Sequence, residues 1–138
     1  MRTINKIVIH STATPEGRIT TVDEINSWHK ERGFSEIGYH YVIYINGEVH
    51  KGRNIEKPGA HVKGHNSNSI GIVYVGGVSK DLRKSVNTIT KEQKESLVAL
   101  LKQLKKDYPD AVVVGHGDLA ITSCPSFDVA EFVKENNI

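Results

Sequence analysis

Three side chains in this 138-residue chain form a set with definite chemistry: His10, His116 and Cys124, the only cysteine present. His10 closes the apolar run "KIVIH", and His116 follows the run "AVVVG". Cys124 lies in "ITSCPSF", between Ser123 and Pro125, in a polar loop rather than core-strand sequence. Short β-branched runs of this kind read as strands, and α/β proteins gather ligands in the crevice outside strand carboxyl ends. Two imidazoles and a thiolate match the donor set of a catalytic zinc ion whose fourth position stays open, whereas a hard cation would call for carboxylates. The same residues admit other readings. The histidines can be hydrogen-bonded structural residues and the cysteine a small buried apolar one. Cys124 can instead be a nucleophile with His116 as its base. Pro125 counts against the nucleophile, because it removes the backbone N–H that would help form an oxyanion hole. A zinc closed by a fourth protein ligand is weakened by the lack of a second cysteine.

Other polar residues sort by context. Tyr39 and His40 are adjacent on an expected strand, so they point to opposite faces and one of them must face the site. His61, Lys63 and Asn66 lie in "GAHVKGHNSNSIG", a donor-rich loop suited to a sugar or a peptide and equally readable as a solvated loop. His29, beside Trp28, reads as partly buried or capping, and His50 as solvent-facing. Asp118 reads as a cap for the turn after His116 in preference to an acceptor for a ligand histidine.

Positioning these residues requires strands and helices in alternation. Residues 6–10 predict a strand and "STATPEGRI" a loop. A helix follows in "TVDEINSWHKERG", with Thr21 and Glu24 in a capping-box pattern and Gly33 as its stop. "YHYVIYINGEVHKGR" predicts a hairpin with Asn46-Gly47 supplying positive φ angles at the turn. "SIGIVYVGG" predicts a strand covered on both faces. Residues 90–106 predict a helix capped by Thr90 and Gln93, with Leu97, Leu100, Leu101 and Leu104 toward the core. "AVVVGH" predicts another buried strand and "FDVAEFVKEN" a final helix. The sum is an α/β fold: a single domain over 1–138 with a mixed central β-sheet flanked by helices.

Bulk properties exclude several classes. A net charge of +2 is too mild to indicate nucleic acid, and one cysteine cannot form an internal disulfide. "IVI" is too short for a signal-peptide core, so the sequence predicts synthesis in the cytoplasm without a leader and no membrane partner.

With these residues in order, "IVIHSTAT", "SWHKERGFSEIGYHYVI", "GAHVKGHNSNSIGIVYVGG" and "GHGDLAITSCPSFD", the chain resembles the N-acetylmuramoyl-L-alanine amidases. It is most similar in kind to the phage lysozyme-type amidases, relatives of animal peptidoglycan recognition proteins. The resemblance covers residues 6 to 133. It implies a Zn2+-dependent hydrolase of the amide between N-acetylmuramic acid and L-alanine in peptidoglycan, with one zinc per chain. It places the zinc ligands on His10, His116 and Cys124, and catalytic roles on Tyr39 and Thr122. It places substrate contacts on His61, Lys63 and Asn66, His61 foremost. Thr122 departs from the lysine of the phage enzymes, although recognition proteins with amidase activity carry threonine there. The implied biology is a monomeric phage or prophage endolysin acting on the cell wall after release. The alternatives are a cytoplasmic cell-wall recycling amidase and a non-catalytic peptidoglycan-binding module.

Overall fold

Five strands pair in the order β4-β3-β5-β1-β7 to form the central sheet: β1 (Lys6–Ser11), β3 (Tyr41–Ile43), β4 (Val49–Lys51), β5 (Ser69–Tyr74) and β7 (Val112–Gly115). β1, β3, β5 and β7 run parallel, and β4 joins β3 antiparallel. This is the mixed sheet expected of the sequence, in a computed structural model that describes residues 2–138. Helices α1 (Val22–Glu31), α2 (Lys91–Asp107) and α3 (Val129–Glu135) pack on it. Among the described residues, no helix is long and apolar enough to cross a membrane.

Both predicted capping boxes form. Thr21 Oγ1 accepts from Glu24 N–H at 3.2 Å, and Thr90 Oγ1 from Gln93 N–H at 3.0 Å. Each satisfies a donor the helix leaves unpaired, a contribution of about 1 kcal/mol. Gln93 also ties α2 to the sheet, because its Nε2 donates to the carbonyls of Ile43 and Val75.

Strand periodicity divides the sheet into two unlike faces. Ile7, Ile9, Ile43, Ile70, Ile72 and Tyr74 share one face with Leu97, Leu101 and Leu104 of α2 and with Val129 and Phe132 of α3. Val42, Val73 and Val75 on the opposite face pack against Ile25 of α1 and Ile37. The next positions of that same parity are His10, His40, Ser69 and Gly71. There the apolar cover ends and a polar interior begins.

Three local expectations are revised. In the hairpin only Gly47 takes a positive φ, of 91°, and its N–H closes a turn onto the Tyr44 carbonyl, while Tyr44 N–H donates to Glu48. That is a three-residue loop ending in a left-handed glycine, with Asn46 Oδ1 accepting from Glu48 N–H instead of supplying a second positive φ. β7 is an edge strand rather than a buried one, leaving Val112 59% exposed. The loop after β1 contains a short strand, β2 (Thr14–Pro15), paired in parallel with β6 (Gly77–Val78).

Candidate metal centre and active site

Strand register brings the first two site residues together. Ile9 of β1 lies opposite Gly115 of β7, so His10 and His116, next along parallel chains, emerge side by side. Their rings stand 4.6 Å apart. Cys124 returns to them because the loop after His116 folds back, with Gly117 N–H donating to the Cys124 carbonyl at 2.8 Å. A Cβ at Gly117 would lie 2.8 Å from the Thr122 carbonyl oxygen, so the closure needs glycine there. Asp118 Oδ2 accepts from Gly115 N–H, the predicted cap. Tyr74 Oη donates to the Pro125 carbonyl at 2.7 Å, and Ser126 Oγ to that of Gly77, anchoring the cysteine loop to the sheet. One donor atom from each of His10, His116 and Cys124 then falls within 4.8 Å of the other two.

The electrostatics suit a metal. Burial, reinforced by His61 and His116 nearby, drives His10 well below the usual histidine range, and burial lowers His116 as well. Both rings are therefore neutral, the form that ligates. Burial pushes the Cys124 thiol up, while Ser11 N–H, 3.1 Å from Sγ, favours the thiolate. A cation beside the sulfur shifts that balance to the thiolate. Two neutral imidazoles and a thiol thus fit zinc by donor type and number.

Tyr39 stands beside this set, its ring centroid 5.0 Å from that of His10. Burial raises its pKa, so the phenol stays protonated and available as a donor. The expected alternation does not hold, because both residues precede β3 outside the strand: Tyr39 packs with the α1-side cluster, and His40, 1% exposed, lies on that same side of the sheet against His61. His40 Nδ1 accepts from Gly71 N–H, and its Nε2 meets the Lys57 carbonyl at 2.8 Å. Thr122 is exposed at the rim, and its Oγ1 accepts from Cys124 N–H at 3.3 Å.

A groove of about 410 Å³ opens beside His116 and Tyr39, walled by His61, Lys63 and Asn66 on one side. Lys63 is exposed. Asn66 Oδ1 accepts from the N–H groups of His61 and Val62 and so shapes the loop. Both ring nitrogens of His61 are engaged within the protein, by His10 and Ser69, so it offers the groove a ring face. The opposite wall, His29, Arg32 and Phe34, is absent from the sequence-derived candidates. His29 Nδ1 accepts from Gly38 N–H, and burial lowers its pKa to about 4. The signal for this wall was the helical period: Ile25, His29 and Arg32 recur on one side of α1 and its end. His50 stacks on Tyr44 at 3.9 Å and pairs with Glu48, away from the groove.

A family profile described as N-acetylmuramoyl-L-alanine amidase matches residues 1–127. The chain belongs to that family. It is an amidase, an enzyme of the N-acetylmuramoyl-L-alanine amidase class. The amidase is 38% identical over 134 residues to the endolysin of Enterobacteria phage K11, covering 97% of this chain and 88% of that relative. It is 28% identical over 137 residues to a peptidoglycan-recognition protein of Drosophila melanogaster, covering 96% and 74%. The solved structure of the N-acetylmuramoyl-L-alanine amidase LysC from Clostridium intestinale superposes with a TM-score of 0.84 at 31% identity, over 99% of this chain and 87% of that one.

Proposed function

We propose that this amidase is a zinc-dependent, monomeric phage or prophage endolysin, residues 1–138 forming one catalytic domain that cuts the amide between N-acetylmuramic acid and L-alanine in peptidoglycan. The observation that carries the reading is the convergence of His10, His116 and Cys124 within 4.8 Å of one another, with His116 also lining the groove. Those three residues would hold the ion. Bound there, zinc supplies Lewis acidity toward the scissile carbonyl and activates water at neutral pH.

The chain's own groups do the rest. Tyr39, protonated and beside His10, donates to the carbonyl oxygen as negative charge develops on it; one such donor is worth about 10²–10³ in rate. The Thr122 hydroxyl accepts from Cys124 N–H and keeps its own proton to donate, without the charge a lysine would bring. Lys63 offers a cation to acidic groups of the stem peptide, Asn66 its Nδ2, and His61 its ring face. Hydrolysis places the hydroxyl of water on the lactyl carbonyl carbon and a proton on the alanine nitrogen. The products are a carboxylate on the sugar and a free stem-peptide amino terminus.

Mass analysis of peptidoglycan digests tests the bond and the metal together. The expected result is stem peptide released with an intact alanine amino terminus, stopped by a zinc chelator and restored by zinc. Cleavage that survives chelation but stops on thiol alkylation would replace this reading with the cysteine nucleophile.

A further inference from the structure

The ring of His61 sits in a fitted slot. A Cβ at Gly71 would lie 2.7 Å from its Cδ2 and 2.9 Å from its Nδ1, and a Cβ at Gly59 would lie 2.6 Å from Cδ2. The two glycines therefore leave space on the sheet face for this ring and for no further side-chain atom. Within the slot, His61 Nδ1 is 2.8 Å from His10 Nε2, and His61 Nε2 is 3.1 Å from Ser69 Oγ. The rings of His10 and His61 meet edge to face at 4.9 Å. Ser69 is 0% exposed, out of reach of any substrate.

Proton placement follows from the bonding partners. A histidine that ligates through one ring nitrogen carries its proton on the other. With His10 Nε2 turned to His61, Nδ1 is the nitrogen left for a metal, and Nε2–H is a donor. His61 Nδ1 must then accept, so His61 carries its proton on Nε2 and donates it to Ser69 Oγ. One tautomer of each ring satisfies every contact in the row. Ligand histidines depend on a partner of this kind to fix ring orientation, and a carboxylate or a backbone carbonyl usually fills the place. At His10 a second imidazole occupies that position instead.

We propose that His61 is a positioning residue for the metal ligand His10, and that Ser69 and the Gly59–Gly71 slot hold His61 in that role. His61 then acts on the metal centre through His10 rather than by hydrogen-bonding to substrate. The inference rests on His10 being a metal ligand, which zinc titration of the unaltered enzyme tests separately. An unaltered enzyme that takes up no zinc fails that reading before any variant is compared.

The test measures zinc affinity by competition with a chromophoric chelator, without substrate, for the unaltered enzyme and for His61→Ala, His61→Asn and Ser69→Ala. Circular dichroism of the metal-free proteins checks that each folds. His61→Ala should bind zinc about 10–100-fold more weakly. His61→Asn keeps an acceptor near the position of Nδ1 and should recover much of that loss. Ser69→Ala touches neither metal nor substrate, and should shift affinity in the same direction by less. Zinc affinity unchanged in a folded His61→Ala, with KM for muropeptide raised, would overturn the proposal and leave His61 a substrate contact. Weakened affinity in His61→Ala that His61→Asn does not relieve and Ser69→Ala does not share would also overturn it.

Discussion

The two faces of the central sheet carry the same strands but opposite chemistry. On the α2 and α3 side the inward positions are mainly apolar, from Ile7 and Ile9 to Ile72 and Leu101. Gln93 of α2 is buried there only through its bonds to the Ile43 and Val75 carbonyls. On the α1 side the apolar layer stops after Val42, Val73 and Val75, and His10, His40, His61 and Ser69 replace it. These polar groups are tolerated because each is bonded, and no buried side-chain nitrogen or oxygen among the described residues lacks a partner. One face thus supplies the free energy of folding, and the other uses burial to hold neutral imidazoles in fixed places. Stability and turnover should therefore respond to different substitutions.

The largest effect expected is from His116→Ala. Removing one of the three proposed ligands should reduce turnover below detection while circular dichroism stays that of the unaltered enzyme. Comparable turnover would erase the functional distinction between the faces. Leu101→Ala tests the other face: a cavity beneath α2 should lower unfolding free energy by about 2–5 kcal/mol in urea titrations, with kcat at 25 °C nearly unchanged. A kcat that falls in proportion would mean the two faces are coupled. Tyr39→Phe keeps the ring and removes the donor, so kcat should drop about 10²–10³-fold with little change in zinc content. A loss confined to KM would assign Tyr39 to binding.

A further test separates the faces by pH. His29 and His40 are held near pKa 4, chiefly by burial, against 6.5 when unfolded. Between those values the unfolded chain binds protons that the folded chain refuses. Stability is therefore complete above about pH 6.5 and falls toward pH 4, by about 1.4 kcal/mol per pH unit for each histidine. Urea midpoints of the metal-free protein at pH 7, 5.5 and 4.5 should decline accordingly, and His40→Asn should flatten the slope. A flat profile would show that the histidine face is indifferent to acidification.

Much of this was legible in the sequence because it is local. Capping boxes at Thr21 and Thr90, the leucine stripe of α2 and the apolar run of β5 each depend on neighbours within a few residues. The candidate ligand set was legible by chemistry: a lone cysteine outside core sequence, with histidines at two strand ends, which the structure brings within 4.8 Å of one another. Long-range placement was not. That β7 lies at an edge, beside β1, depends on a pairing across more than a hundred residues, and "AVVVG" reads the same at an edge or a centre. The same pairing sets His116 next to His10. The contact of His61 with His10 likewise depends on Gly71 being glycine at one position of a neighbouring strand, which no local pattern reveals.

That His10, His116 and Cys124 together hold the catalytic zinc is open to a single decisive comparison: elemental analysis of the purified enzyme and of Cys124→Ser, each assayed on peptidoglycan. The expected result is about one zinc per chain in the unaltered enzyme, with both zinc and amide hydrolysis lost in Cys124→Ser. Full hydrolysis by an enzyme shown to carry no zinc would refute the assignment.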